Sequence, residues 1–392
     1  MNAKWRNIGI LIVAEIAAMT LWFVSAAILG DMGREATISS VAQAALSSAV
    51  AAGFVLGALA SAVTGIADRF QPRYVFAISA ALAALCNLLL LVAPVGGVVA
   101  IVLRALTGAF LAGVYPVGMK IAVGWGQRDR GLLVGLLVGG LTLGSAAPHL
   151  LSFFGGAQWR VTVVAASLLS LVAAVLVLFI QNGPYHTTAT RFKATAVISA
   201  WTNLSVRRAY IGYLGHMWEL YAMWAWIGIA LTASFSTGLE VTEASRLAKV
   251  TTFGVVAIGA FSSALAGWLA DRIGRAELTI LALAISGTSA VLFALTFGQS
   301  VGLTIGIALV WGFSVIPDSA QFSALVADFA PAEEVGSLLT FQTALGFALT
   351  VFTVQVTPVL AAQFGWAVVM ALLAIGPVIG ILSMLGLRRV NV

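Results

Sequence analysis

Charge is what this sequence lacks. Asp, Glu, Lys and Arg make up 9% of its 392 residues, against about 25% in a soluble domain. Such a chain cannot cover its surface as a soluble protein does. Cysteine is nearly absent. Cys86 stands alone, with no partner for an intrachain disulfide, and it lies in an apolar run, where packing fits better than a reactive thiol. A metal centre needs several converging ligands; His216 and Glu219 share a face but are only two, so neither metal nor cofactor is expected. No Walker-type phosphate loop, nucleophile motif or polar domain large enough for ATP hydrolysis is present, which argues against an enzyme. The net charge of +6 could address nucleic acid or a membrane surface. The basic residues stand in short loops between apolar runs, without interleaved aromatics, so no nucleic-acid partner is expected.

What is present is apolar length. Hydrophobic residues make up 61% of the chain, and the mean hydropathy is +1.06. A span needs about 20 apolar residues, and twelve runs qualify: 8–30, 41–66, 74–94, 97–122, 130–154, 160–180, 208–236, 247–270, 277–297, 300–327, 335–362 and 365–387. The start "MNAKWR" imitates a signal peptide, but the run behind it is too long and holds Glu15, so it reads as an uncleaved first span. The runs are too long for barrel strands, leaving a helical bundle as the structure that satisfies its backbone in lipid. The expected fold is therefore all-α and integral to the membrane.

Loop charge suggests the orientation. Lys4, Arg6, Arg69, Arg73, Arg128, Arg130, Arg191, Lys193, Arg207, Arg208, Arg272, Arg275, Arg388 and Arg389 fall on one side. Arg34, Arg160, Arg246 and Lys249 fall on the other. The positive-inside rule then puts both termini in the cytoplasm, with the inner membrane as location. Residues 181–206 are the longest polar break, read as a linker between halves 1–180 and 207–392; its second part is either a short helix on the membrane face or disordered.

The halves repeat one another. "EIAAMTLW" (15–22) matches "ELYAMWAW" (219–226) at Glu15/Glu219, Ala18/Ala222, Met19/Met223 and Trp22/Trp226. "GIADR" (65–69) answers "GWLADR" (267–272), and Pro116 answers Pro317, at nearly the same offset. Duplicated halves are a hallmark of secondary transporters.

"GWLADRIGR" (267–275) resembles the loop signature of the major facilitator superfamily, Gly-x-x-x-Asp-Arg-x-Gly-Arg, at Gly267, Asp271, Arg272, Gly274 and Arg275. The first copy, "TGIADRFQPR" (64–73), keeps Asp68 and Arg69 but has Gln71 at the second glycine and Arg73 as the next base. "RALTGAFLAG" resembles the family's Arg-x-x-x-Gly pattern at Arg104 and Gly108. The resemblance covers nearly the whole chain. It implies twelve spans in two pseudo-symmetric six-helix halves, a central cavity lined by spans 1, 4, 7 and 10, and no particular solute. Charge pairs of the loops, built on Asp68, Arg69, Arg73, Asp271, Arg272 and Arg275, would meet neighbouring helix ends and close the inner gate.

Ionisable groups deep in the spans are few: Glu15, Arg104, His149, His216, Glu219 and Asp318. A charge at the bilayer centre costs on the order of 3 kcal/mol or more, so such groups face protein or a water-filled path. His216, Glu219, Met223 and Trp226 recur at helical spacing on one face, and Glu15, Met19 and Trp22 make the matching face. The two faces are expected to meet across the pseudo-twofold axis. Carboxyls in low dielectric suit proton coupling, and indoles suit a cation. Arg104 would bind a carboxylate solute or pair with Glu15 or Glu219. Asp318 serves coupling, gate or packing, and His149 an outer-gate hydrogen bond. Trp311, Gln342 and Thr343 are further solute contacts, while Trp218 and Trp224 are set aside as packing. Gly131, Gly135 and Gly139 in span 5 would allow close helix approach.

The expected function is a secondary transporter that moves a small organic solute by alternating access, coupled to protons and working as a monomer. Proton-driven efflux of amphipathic cations is the alternative, and a transporter-like receptor a more distant one.

Overall fold

The computed structural model of the protein describes residues 3–127, 129–156, 158–185, 196–331 and 333–390, with the side chains of 67, 68, 196, 197, 389 and 390 left aside. Arg128, Arg191, Lys193 and the Asp68 and Arg389 side chains of the sequence reading thus lie outside the described part.

Among these residues, eleven helical segments are long and apolar enough to cross a membrane. Span 1 is Ala3–Met19 continued by Val24–Glu35, span 2 Ser40–Thr64, span 3 Pro72–Leu88, span 4 Val98–Leu111 with Tyr115–Gly124, span 5 Arg130–Phe154 and span 6 Trp159–Leu176. Spans 8 and 9 are Val241–Ile273 and Arg275–Thr296. Span 10 is Val301–Ser314 with Ser319–Phe329, span 11 Val335–Phe364, and span 12 Trp366–Leu372 with Ile375–Val390. Span 7, Leu204–Phe235, has 32 residues, about 48 Å of helix; His216, Glu219 and its aromatic residues dilute its apolarity but not its reach. The helix starts earlier than the hydrophobic run because Asn203 caps it, accepting from the Ser205 and Val206 amides at 3.0 and 3.2 Å. In the linker, Ala196–Thr202 is helical.

Burial is inverted relative to a soluble protein. Val63, Val92, Val98 and Phe179 stand exposed on the outside, whereas Glu15, Arg104, His216, Glu219 and Asp318 are fully enclosed. That is the arrangement lipid demands.

Packing repeats between the two sets of six spans. Span 2 lies against spans 4 and 11, and span 8 against spans 10 and 5; spans 1 and 6 pair as spans 7 and 12 do. Two close approaches also correspond. A Cβ on Gly108 would lie 1.9 Å from the Val50 carbonyl oxygen, and one on Gly312 would lie 1.9 Å from that of Val255. Helix backbones meet there through small residues. Gly108→Ala and Gly312→Ala should each push a helix pair apart and cost about 1–3 kcal/mol, read as a lower unfolding temperature of the purified protein in detergent micelles; unchanged melting in both would refute the contact. In the glycine stripe of span 5, Gly139 and Gly135 face span 8, but Gly131 faces open space, so two of the three serve close packing.

The two loop copies differ in geometry as in sequence. Gly274 closes span 8 at φ +95, a backbone that suits glycine. Gln71 sits in extended backbone at φ −63, and Pro72 starts the next helix.

Candidate functional site

Span 1 breaks between Met19 and Val24, inside a sequence with no proline or glycine to announce it. A broken helix leaves carbonyls without intrahelical donors, which lipid does not tolerate. Arg104 of span 4 supplies them: Nη2 donates to the carbonyls of Leu21 and Trp22, each at 2.8 Å. Its Nη1 donates to Asn87 Oδ1 at 2.9 Å, and Asn87 Nδ2 donates to Ser167 Oγ and the Val163 carbonyl. A cation at a helix C-terminal end also suits the dipole. The expectation that Arg104 pairs with a glutamate is corrected here: the guanidinium is engaged with the backbone of span 1.

The glutamates do not face each other either. Glu219 turns into the last six spans, where Oε1 accepts from Trp311 Nε1 at 2.8 Å, and Ser286 and Asp318 are neighbours. Asp318 lies in the break of span 10, its Oδ1 at 2.9 Å from His216 Nδ1, although that contact lacks the alignment of a hydrogen bond. Tyr213 and Phe322 flank His216. Glu15 turns into the first six spans. It lies over Gly118, where a Cβ would stand 2.7 Å from Oε2, beside the edge of Phe76 and near Tyr115. Neither of its carboxylate oxygens has a hydrogen-bond partner.

Aromatic rings meet between the two sets instead. Trp22 packs against Phe54, Tyr221 and Phe347 at centroid separations of 5.0, 5.8 and 5.6 Å. Phe23 stacks on Tyr221 and meets Trp224 edge-on, and Phe54 meets Phe347 at 4.8 Å. Trp224, set aside on sequence grounds, is thus part of the junction. Trp226, expected beside Glu219, instead donates to the Val354 carbonyl at 3.0 Å and lies against Trp366. The place of Trp224 follows from rotation: Glu219 faces spans 9 and 10, so the opposite side of span 7, carrying Tyr221 and Trp224, faces span 1. Met19 packs on Gly144 of span 5, and Met223 is buried. Gln342 is buried with both amide atoms unpartnered, while Thr343 donates to its own Leu339 carbonyl.

On the face away from the chain ends, a contact absent from the sequence reading joins the two sets. Lys249 of span 8 reaches Asp31 Oδ2 of span 1 at 2.6 Å and donates to the Gly156 and Ser152 carbonyls at 2.9 and 3.3 Å. His149 is buried near Lys249, and its Nε2 has no partner.

On the face carrying the chain ends, the loop arginines brace their own six spans. Arg275 pairs with Asp328 at 2.7 Å, Arg73 reaches the Leu178 and Ile180 carbonyls at 3.5 Å, and Arg272 lies over Trp268. Arg69 and Asp271 are exposed. These bonds stay within one set of six, Arg73 and Arg275 each meeting the end of a neighbouring span. Lys4 pairs with Asp129 at 2.5 Å, and its hydrogen bond holds that carboxyl below the usual carboxylate range.

Residues 10–351 match the sequence model of the Major Facilitator Superfamily. An uncharacterized 38 kDa protein in the 23S RNA operon of Thermoproteus tenax is 29% identical over 271 residues, covering 67% of this chain and 68% of that protein. The fold is similar to a mutant of the nucleoside transporter NupG, with a TM-score of 0.74 at 13% identity over 98% of this chain and 100% of that one. It is also similar to a bacterial homologue of the human lysosomal transporter Spinster, inward-facing and occupied, with a TM-score of 0.75 at 13% identity over 99% and 97% of the two chains.

Proposed function

We propose a proton-coupled cycle for this chain, which belongs to the Major Facilitator Superfamily and is a secondary transporter, not an enzyme. The solute is a small organic molecule, bound near the midplane while two bodies, 1–180 and 207–392, rock about it. The observation that carries the coupling is the Glu15 carboxyl, enclosed and without a partner. A carboxylate left so is expensive, and a proton that arrives and leaves during the cycle resolves that cost. Glu219 and Asp318 add carboxyls in the second body.

The aromatic junction of Trp22, Phe23, Phe54, Tyr221, Trp224 and Phe347 favours a flat or apolar solute, since such rings offer faces once the bodies part. It also supports the second reading, export of amphipathic cations, because Arg104 is engaged elsewhere and the carboxyls outweigh positive charge at this depth. We place the protein in the inner membrane as a monomer with both chain ends in the cytoplasm, from its loop charges.

Flux in proteoliposomes tests the coupling, using amines, nucleosides, sugars and carboxylates with and without a pH gradient. One unit of gradient supplies about tenfold accumulation per proton. A solute that moves indifferently to the gradient would refute coupling, and no movement of any would revive the receptor reading.

A further inference from the structure

Glu15 and Glu219 are equivalent in the repeat but not in their surroundings. Glu219 accepts from Trp311 at 2.8 Å and has His216 and Asp318 nearby in the same cluster. The first six spans lack each of these groups. With the glutamates aligned, Ile12 stands in place of His216; with Pro116 on Pro317, Val117 stands in place of Asp318. With Gly108 on Gly312, Thr107 takes the place of Trp311, and its hydroxyl is turned back to the Leu103 carbonyl at 2.8 Å. Glu15 is left with Gly118 beneath it and no donor on either oxygen.

The charged and titratable groups around Glu15 sharpen the difference. Span 4 offers the Tyr115 phenol and carries the half-buried Lys120 two residues beyond Gly118. Arg104 is turned to the Leu21 and Trp22 carbonyls. His149 of span 5 belongs to the far-side cluster near Lys249, and Lys4 and Asp129 pair where span 1 begins. No hydrogen bond from any of these groups reaches either Glu15 oxygen.

From this asymmetry, and resting on the proton-coupled reading, we propose that Glu15 is the carboxyl that takes up and releases the transported proton, while Glu219 is a positioning residue that fixes span 7 to the broken span 10. The step at Glu15 is carboxylate plus proton to carboxylic acid, reversed on the opposite side of the membrane. Gly118 is part of the arrangement, because any side chain there would occupy the space of the carboxyl.

The test needs no knowledge of the solute. Infrared difference spectra of the lipid-reconstituted protein between acid and alkaline pH report the C=O stretch of a carboxyl that gains and loses a proton. Wild type should show one such band that Glu15→Gln removes and Glu219→Gln keeps, beside the carboxyl bands of the other Asp and Glu side chains common to all three. Glutamine at 219 still offers Trp311 an acceptor, so that variant is expected to fold. Spectra in which Glu15→Gln removes no band, or in which Glu219→Gln removes the same one, overturn the assignment. Flux separates the two readings: gradient-driven uptake should be lost in Glu15→Gln and retained, at a lower rate, in Glu219→Gln. Retained gradient response in Glu15→Gln overturns the assignment while leaving coupling intact. A wild type indifferent to the gradient overturns coupling itself, with the infrared band still deciding whether Glu15 exchanges protons.

Discussion

Arg104→Leu is expected to destabilise the protein more than any other single substitution in the first six spans. It strands the carbonyls of Leu21 and Trp22 and the Oδ1 of Asn87. Each orphaned buried acceptor costs about 1–3 kcal/mol. Removing a desolvated guanidinium returns part of that, so the net loss is on the order of 3 kcal/mol. Among the described residues no backbone amide donates to either carbonyl, so they have no alternative donor. Arg104→Lys keeps the charge but has one nitrogen for three acceptors, so it should fall between the two. Thermal unfolding in lipid nanodiscs, followed by tryptophan fluorescence, gives the ranking, and Trp22 at the break should report a looser environment in both variants before unfolding begins. Equal unfolding temperatures for all three proteins would show that Arg104 does not hold the break.

The second large effect is conformational. Lys249→Met leaves Asp31, 4% exposed, with the Ser152 hydroxyl at 3.3 Å as its remaining partner. Breaking a buried pair by removing one member costs about 3–5 kcal/mol. That cost falls on the arrangement in which the far side is closed, because both groups reach water once it opens. A loss of that size shifts a two-state equilibrium by about 10²–10³-fold or more toward opening. Spin labels at the exposed positions Val41 and Val241, near the far-side ends of spans 2 and 8, should show a longer distance population in the variant that is minor in wild type. Exchanging the two charges, Asp31→Lys with Lys249→Asp, should not restore closure: a carboxylate at 249 would face the Ser152 and Gly156 carbonyls that the ammonium now binds. Restoration by the exchange, or identical distances in wild type and Lys249→Met, would remove the pair from the gating account.

Much of the architecture was legible because the cost of charge in lipid acts on one residue at a time. Apolar runs marked the spans, and enclosed charges marked spans 1, 4, 7 and 10. The repeat was legible too, since Gly108 and Gly312 hold the same close approach in both sets of six. Span 7 is read from its run at 208–236 yet falls short of the apolarity of the other eleven, because its face is built from tryptophan, tyrosine, histidine and glutamate.

The partners were not legible. A helical wheel says that Glu219 and Trp226 share a side, but their packing differs: Glu219 bonds Trp311 of span 10, and Trp226 bonds Val354 of span 11. The break after Met19 carries no proline or glycine, so the need for Arg104 was hidden in "EIAAMTLWFVS". Asp31 and Lys249 lie 218 residues apart, and only Lys249 entered the sequence reading, as one of the few basic residues on its side. The sequence by itself determined that this is a duplicated helical membrane transporter with carboxyls at depth, because polarity in lipid is a property of each side chain. Which way those carboxyls turn, and that one of the twin glutamates is held while the other stands unpartnered, was decided by the tertiary structure, because it depends on how each helix is rotated against its neighbours.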